Sequence, residues 1–316
     1  MSNARIIAVT GATGAQGGGL ARAILEDAGG GFTLRAITRK TDSERAKALA
    51  KAGAEVVQAD LDDVESLVKA FTGAHGAYCV TNFWEHMSPG KESQQARNLA
   101  DAAKRAGVKH AIWSTFEDTR DKVPLSDDRM PTLQGRYKVP HFDCKAEVNA
   151  YFLEHGPPTT LLYTSFYWDN LIHFGMGPKK GDDGKLRFVL PMADKKLPGI
   201  AAEDIGRCAY GVFKEGPSSA GQVIGVSGEQ LTGHQMAASL SKALGAEVSY
   251  AAVPPAVYRG FGFPGAEDLG NMFQFKAEFE SEFCGPRDPE RARRFHPGLL
   301  TFDGWLKRYA DKIPRA

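Results

Sequence analysis

The sequence lacks any run of about 18 apolar residues, so we expect no membrane-spanning helix. The apolar segment at residues 6–9 is also too short to be the core of a signal peptide. Cysteine is scarce, and Cys79, Cys144, Cys208 and Cys284 show neither CxxC nor metal-ligand spacing. This scarcity favours a reduced compartment and no metal site. Together these absences predict a cytoplasmic protein.

An excess of charge of one sign is also missing. The chain has 39 Lys and Arg residues against 38 Asp and Glu residues, a formal net charge of +1. Such a balance provides no global field to attract nucleic acid or an anionic membrane. We interpret the arginines at positions 291, 293 and 294 as a solvated helix face. Neither nucleic acid nor a membrane is therefore expected as a direct partner.

Strand-like and helix-like segments alternate through the first half of the chain. The predicted strands are Arg5 to Val9, Phe32 to Thr38, Glu55 to Ala59, Gly76 to Thr81, Lys109 to Ser114 and Thr159 to Tyr163. A continuous helix is predicted over Pro140 to Phe152. This alternation indicates an α/β fold with a doubly wound parallel sheet, a Rossmann-type fold. We expect that domain over residues 1–165 and a smaller, partly interleaved α/β lobe over residues 166–316.

A glycine-rich turn directly follows the first predicted strand. Gly11, Gly14 and Gly17 stand three residues apart, and an apolar, helix-like segment follows at residues 20–25. The first glycine permits a sharp turn, the second lets the backbone approach a phosphate, and the third lets the helix pack against the strand. The amides and the dipole of the helix N-terminus then attract an anion. Although the spacing differs from G-x-G-x-x-G, this context predicts a dinucleotide site.

The end of the second strand favours NADP(H) over NAD(H). An NAD site usually carries an acid there, whereas this chain has Arg39 and Lys40. An arginine can bind a 2′-phosphate bidentately and stack on the adenine. The alternative is that both cations only solvate a loop. Asp60 and Leu61, after the third strand, would flank the adenine by position, and Asp60 could equally cap the next helix.

Several segments resemble the NmrA-like family, a group of atypical short-chain dehydrogenase/reductase proteins, and most of all its NADP(H) redox-sensor branch. The similar segments are residues 11–18, 80–85, 141–148, 204–206 and 262–273, and the last has the sequence GFPGAEDLGNMF. The similarity extends to Trp305 and so covers nearly the whole chain.

The resemblance implies roles for residues at the carboxyl ends of the predicted strands. Those that would hold the pyrophosphate are Gly11, Thr13, Gly14, Ala15, Gln16 and Gly17. Arg39 and Lys40 would hold the 2′-phosphate. Those that would surround the nicotinamide and its ribose are Thr81, Asn82, Phe83, Lys145, Tyr163, Thr164, Ser165 and Phe166.

The catalytic position departs from the usual pattern. Active short-chain dehydrogenases typically use Tyr-x-x-x-Lys, in which the lysine lowers the pKa of the tyrosine. This chain has Lys145, but His141 stands four residues before it. A helix N-terminus and the Lys145 cation both disfavour a protonated imidazole. We therefore name Lys145 and His141 as the candidate catalytic residues, and we favour a structural or ligand-contact role for His141.

Two functions compete at this point. The missing tyrosine favours an NADP(H)-binding regulator that responds to the NADPH/NADP⁺ ratio and contacts a regulatory protein partner. The retained Lys145 and the aromatic residues at 83–84 and 166–168 favour an NADPH-dependent reductase of a quinone, an enone or an imine-like small molecule. A structural protein with a vestigial pocket is a weaker third interpretation. The sequence is also compatible with a homodimer, and with a nuclear location if the protein is a eukaryotic regulator.

Overall fold

The structure, a computed structural model, describes residues 4–181 and 183–314. Strands and helices alternate through its first half. The strands are β1 (Arg5–Val9), β2 (Phe32–Thr38), β3 (Glu55–Gln58), β4 (Gly76–Cys79), β5 (His110–Thr115) and β6 (Thr159–Tyr163). The helices are α1 (Ala15–Glu26), α2 (Glu44–Lys51), α3 (Val64–Phe71), α4 (Phe83–His86), α5 (Pro89–Arg105), α6 (Pro140–Ala146) and α7 (Asn149–His155).

The second half contains shorter strands and more irregular connections. Its strands are β7 (Phe166–Tyr167), β8 (Lys179–Lys180), β9 (Leu186–Leu190), β10 (Lys196–Ile200), β11 (Val223–Gly225), β12 (Glu229–Thr232) and β13 (Val248–Ala252). Its helices are α8 (Asn170–His173), α9 (Ala202–Glu215), α10 (Gly233–Leu244), α11 (Pro255–Arg259), α12 (Ala266–Glu278), α13 (Glu280–Cys284), α14 (Pro289–Phe295) and α15 (Phe302–Tyr309). None of the described helices combines the length and the apolar character needed to cross a membrane.

A seven-stranded parallel sheet lies at the centre of the molecule. Its spatial order is β11-β6-β5-β4-β1-β2-β3, and β1 pairs with both β2 and β4. The order therefore reverses beside β1, and the carboxyl ends of these three strands meet at one edge. Ligands of open α/β sheets bind at such a switch point. The predicted α/β, doubly wound fold class is confirmed.

Side chains that alternate along β1 contact different helical layers. Ile7 and Val9 pack in a buried cluster with α1 and α9, whereas Ala8 packs in a second cluster with α3 and α5. The helices α1 and α9 approach each other closely, since a Cβ on Gly206 would lie 2.1 Å from the backbone nitrogen of Leu20. The orientation of α1, which carries the glycine turn, therefore depends on a helix from the second half of the chain.

The second half contributes to the first sheet before it forms a lobe of its own. The strand β11 joins the parallel sheet and α9 packs against it. The strands β12-β10-β7 and β13-β9-β8 form two further sheets of three strands each. A separate buried cluster, with Trp168, Phe188, Phe273 and Trp305 among its members, fills this lobe. The helix α12 lies against the segment that leads into α6, since Asn271 Nδ2 donates to the Lys138 carbonyl oxygen at 2.6 Å.

The predicted bounds of β1, β2 and β6 are confirmed, but the predicted helix over Pro140 to Phe152 is wrong. The chain forms two helices there, α6 and α7, separated by Glu147 and Val148. The Glu147 carboxylate accepts a hydrogen bond from Arg120 Nη1 at 2.9 Å, and Val148 is buried beneath α5. These tertiary contacts hold both residues and override the local helical propensity.

Candidate functional site

The glycine turn lies at the carboxyl edge of the sheet and is shaped by close backbone contacts. Gly11 has a φ of +63°, which favours glycine, and a Cβ on Gly17 would lie 2.4 Å from the Gly11 carbonyl oxygen. Gly14 is the N-cap of α1 and offers no side chain to cap the helix. Because the first amides of a helix have no intrahelical acceptor, they remain available to an anion at this exposed turn.

The side chain of Gln16 points away from this turn and into a polar cluster. Its amide nitrogen donates to the Tyr167 hydroxyl, while its Oε1 accepts from Tyr78 at 2.5 Å and from Ser114 at 2.8 Å. Burial raises the pKa of Tyr167 to about 12, so its hydroxyl stays protonated at physiological pH. Of Gln16, only the backbone is therefore free for the predicted contact with a pyrophosphate.

Arg39 stands at the end of β2, as predicted, and it forms an ion pair. Its Nη1 and Nη2 atoms lie 2.6 and 3.0 Å from the two carboxylate oxygens of Glu85, on α4. The hydrogen bonds to Glu85 raise the pKa of Arg39, and the charges of Asp60 and Asp62 act in the same direction. The neighbouring Lys40 is exposed, and its ammonium takes part in no ion pair among the described residues.

A third cation, Arg45, joins this edge from α2. Its Nη1 donates to the Thr13 carbonyl oxygen at 3.2 Å, so it links the start of α2 to the glycine turn. The cap of α3 is Asp63, whereas the Asp60 carboxylate accepts from the backbone nitrogen of Asp62 at 3.0 Å. The charge of Asp60 acts on Arg39, whereas Leu61 packs against the buried cluster of α3 and α5. The capping alternative for Asp60 is wrong.

Lys145 lies under the end of β4 in a buried polar network. Its Nζ is 2.5 Å from the Thr81 hydroxyl oxygen and 2.7 Å from Glu92 Oε1. The other carboxylate oxygen of Glu92 lies 3.2 Å from His86 Nε2, and the Glu92 side chain is fully buried. The structure therefore brings together the predicted residues Thr81 and Lys145, and it neutralises the lysine with an acid from α5.

His141 forms a pair with an acid from the second half of the chain. Its Nδ1 lies 2.6 Å from Asp268 Oδ1, and its backbone nitrogen donates to the other carboxylate oxygen at 3.2 Å. The Trp84 ring lies 4.9 Å from the imidazole, centroid to centroid. In the neutral imidazole, an Nδ1 that donates to the carboxylate leaves Nε2 as a hydrogen-bond acceptor. A cavity of about 510 Å³ opens beside this pair and is lined by Phe83, Pro140 and Asp268, among others.

The residues that follow β6 line the same edge. Tyr163 is half-buried, and burial raises its pKa to about 12. The hydroxyls of Thr164 and Ser165 are buried and have no hydrogen-bond partner among the described residues. Phe166 is buried in the lobe cluster, whereas Asn82, after β4, is exposed. Two unpartnered hydroxyls at the end of a strand are suited to bind a polar ligand.

Four charged residues of the site were missed by the sequence analysis. Glu85 and Asp268 lie inside the segments that carry the family resemblance, but nothing in their local sequence indicates their distant partners. Glu92 did leave a signal, since it occupies the apolar face of α5 with Ala96 and Leu99 at helical spacing. Arg45 is exposed on α2, so only the fold shows that it reaches the glycine turn. Within residues 4–181 and 183–314, no group of three metal-ligating side chains is found.

The whole chain is similar to a known protein family. The model of the NmrA-like family matches residues 3–306. FrzB from Cladobotryum sp, an NmrA-like family domain-containing oxidoreductase, is 31% identical over 310 residues, 90% of this chain and 88% of that protein. The corresponding oxidoreductase notA' from Aspergillus versicolor is 35% identical over 243 residues, 71% of this chain and 64% of that protein.

Solved structures similar to this fold include a regulator and an enzyme. NmrA, a negative transcriptional regulator solved in complex with NADP, has a TM-score of 0.78 at 26% identity, covering 98% of this chain and 96% of its own. Its complex with NAD has a TM-score of 0.80. The NADPH-dependent quinone oxidoreductase QOR2 from Escherichia coli has a TM-score of 0.71 at 23% identity, covering 96% of this chain and 99% of its own. At that identity, the likeness to QOR2 concerns the fold.

Proposed function

This chain belongs to the NmrA-like family, and on that basis we propose that it binds NADP(H) and acts as a redox-sensing regulator. The observation that carries the proposal is the parallel pairing of β1 with β2, which brings Arg39, after β2, next to the uncapped, glycine-rich turn after β1. The helix amides suit a pyrophosphate, and the guanidinium suits the additional 2′-phosphate. That NmrA has been solved with both NAD and NADP supports a nicotinamide cofactor.

The network around Lys145 supports a sensor more than an enzyme. The residue four positions earlier is His141 rather than tyrosine, and Glu92 and Thr81 already engage the lysine ammonium. A sensor needs only two conformations that differ in affinity for the reduced and oxidised cofactor. It needs no proton donor, and the change it reports would reach a regulatory protein partner.

Titration calorimetry tests the cofactor assignment. We expect NADPH to bind the wild-type chain more tightly than NADH does. We expect Arg39→Glu to lower the affinity for NADPH far more than the affinity for NADH. Arg187→Glu is the matched control, because Arg187 also forms an exposed bidentate pair, with Asp183 in the second half of the chain. Equal losses of both coenzymes in Arg39→Glu would contradict the assignment. A change in molecular mass or shape on NADPH binding, measured by light scattering, would support the sensor.

A reductase is the second candidate, favoured by the pairing of His141 with Asp268. The Asp268 carboxylate orients the imidazole, and the same Asp268 lines a cavity of about 510 Å³ together with Phe83 and Pro140. The cofactor would supply a hydride to the quinone, enone or imine, and a protonated His141, paired with the Asp268 carboxylate, would give its Nε2 proton to the reduced product and become neutral. Curated relatives such as FrzB are described as oxidoreductases, which is consistent with this candidate.

The absorbance of NADPH, followed with a panel of quinones and enones, separates the two candidates. Turnover that is lost in both Lys145→Ala and His141→Gln would support the reductase. Asp268→Asn should then shift the pH profile of the rate as well as lower it, because it removes the charge that orients the imidazole. Tight NADPH binding without turnover of any acceptor would support the sensor.

A further inference from the structure

The cation that the proposed function assigns to the 2′-phosphate already holds an anion of the chain itself. The Nη1 and Nη2 atoms of Arg39 contact the two carboxylate oxygens of Glu85, at 2.6 and 3.0 Å, in a bidentate arrangement. A phosphate can bind the Nη1–Nη2 edge of a guanidinium by the same pair of parallel hydrogen bonds. Glu85 and a 2′-phosphate therefore cannot both occupy this edge.

We infer that Glu85 is an internal competitor of the 2′-phosphate and a determinant of the selectivity between NADP(H) and NAD(H). The inference rests on the proposed function, since it requires the cofactor to bind at this edge. Only NADP(H) carries the group that displaces the carboxylate, because NAD(H) has a hydroxyl at the same position. Glu85 thus lowers the affinity for one coenzyme and leaves the affinity for the other nearly unaffected.

The charges around the pair support an exchange at Arg39. The Arg39 guanidinium lowers the pKa of Glu85, so the carboxylate is ionised throughout the neutral pH range. Lys40 takes part in no ion pair among the described residues, and it is exposed next to Arg39. Lys40 thus offers a second cation to a phosphate that replaces Glu85 on Arg39. Asp60 and Asp62, whose charges also act on Arg39, remain in place.

The exposure of the pair limits the size of the effect. The Arg39 and Glu85 side chains are 59% and 47% exposed, and exposed ion pairs are weak because water and salt screen them. Removing the competitor is therefore expected to tighten NADPH binding by roughly twofold to fivefold. Such an effect adjusts the selectivity and does not decide whether the coenzyme binds.

Titration calorimetry on the full chain measures the dissociation constants of NADPH and NADH for the wild type and for Glu85→Gln, which removes the charge and keeps the side-chain size. We expect NADPH to bind roughly twofold to fivefold more tightly in Glu85→Gln, while the constant for NADH stays within about twofold. Glu26→Gln is the control, since Glu26, at the far end of α1, also forms an exposed bidentate pair, with Arg207 of α9. The Glu26→Gln substitution should change neither dissociation constant.

The double variant Arg39→Ala, Glu85→Gln tests whether Glu85 acts through Arg39. In the Arg39→Ala background, the Glu85 substitution should no longer tighten NADPH binding. The inference is overturned if Glu85→Gln weakens the binding of NADPH or leaves it unchanged, or if it tightens the binding of NADPH and NADH equally. It is also overturned if Glu85→Gln still tightens NADPH binding in the Arg39→Ala background. A wild-type chain that binds neither coenzyme would instead refute the proposed function, so the two failures are distinguishable.

Discussion

Lys276, on α12, offers a direct test of how the lobe that supports the site is stabilised. Its side chain is 2% exposed. Its ammonium lies 5.5, 5.7 and 5.0 Å from the ring centres of Phe142, Phe273 and Phe283. It takes part in no hydrogen bond or ion pair among the described residues. We predict that Lys276→Met increases the stability of the protein at neutral pH.

The magnitude follows from the pKa of the lysine. Burial, followed by the charge of Arg287, lowers the pKa of Lys276 from 10.5 to about 7. A difference of about 3.5 units corresponds to about 5 kcal/mol at about 1.4 kcal/mol per unit. Cation–π contacts to three rings offset part of this, because each contributes roughly 0.5–2 kcal/mol. We therefore expect a net gain of up to about 3.5 kcal/mol on replacement by methionine, in the direction found for other buried charges replaced by apolar groups.

The sign of the pH dependence can be derived from the same shift. Between about pH 7 and pH 10 the unfolded chain keeps the proton on Lys276, whereas the folded chain releases it. Stability therefore rises with pH in this window, and the full penalty is present below about pH 7. In Lys276→Met this contribution disappears. The difference in unfolding free energy between the two proteins should shrink by about 1 kcal/mol per pH unit from about pH 7.5 to pH 9.

Urea denaturation followed by far-UV circular dichroism measures both quantities. Lys138→Met is the matched control, because Lys138 is equally buried but donates to the carbonyl oxygens of Asp127 and Met130 at 2.8 and 2.7 Å. Loss of this lysine leaves two acceptors unsatisfied and should destabilise the protein by about 1–3 kcal/mol for each. The reasoning is refuted if Lys276→Met is less stable than the wild type at pH 7, with an unchanged dependence on pH.

Two further predictions concern packing and a buried ion pair. Gly206→Ala should destabilise the protein by about 1–3 kcal/mol or more, because its Cβ would meet the backbone of α1 at 2.1 Å. A Cβ on Gly90 would meet no atom within 4 Å beyond its chain neighbours and the backbone of its own helix, so Gly90→Ala should stabilise the protein by about 0.5–1 kcal/mol in thermal unfolding. Equal changes in stability for Gly206→Ala and Gly90→Ala would contradict this account. Arg287→Met should cost about 3–5 kcal/mol in urea denaturation. The reason is that the fully buried Arg287 pairs with Glu117 at 2.6 Å and holds the Thr164 carbonyl at 2.8 Å. A loss below about 1 kcal/mol would show that this pair does not hold the ends of β5 and β6.

The parts of the site that follow from local sequence were predictable. A β-branched segment, three spaced glycines and an apolar helix specify β1, the turn and α1, because each step depends on neighbouring residues. The position of Arg39 also follows, since the end of β2 must lie beside the end of β1 in a parallel sheet. The break between α6 and α7 could not be predicted, because it depends on contacts of Glu147 and Val148 with distant segments.

By itself, the sequence determined the doubly wound fold class, the glycine turn and the cations at its edge, because hydrophobic periodicity and glycine placement act over a few residues. Only the tertiary structure decided which charges meet. Asp268 reaches His141 across 127 positions, and Glu85 reaches Arg39 across 46. The physical reason is that hydrogen bonds and ion pairs require a separation of a few ångströms, and the folded chain sets that separation independently of distance along the sequence.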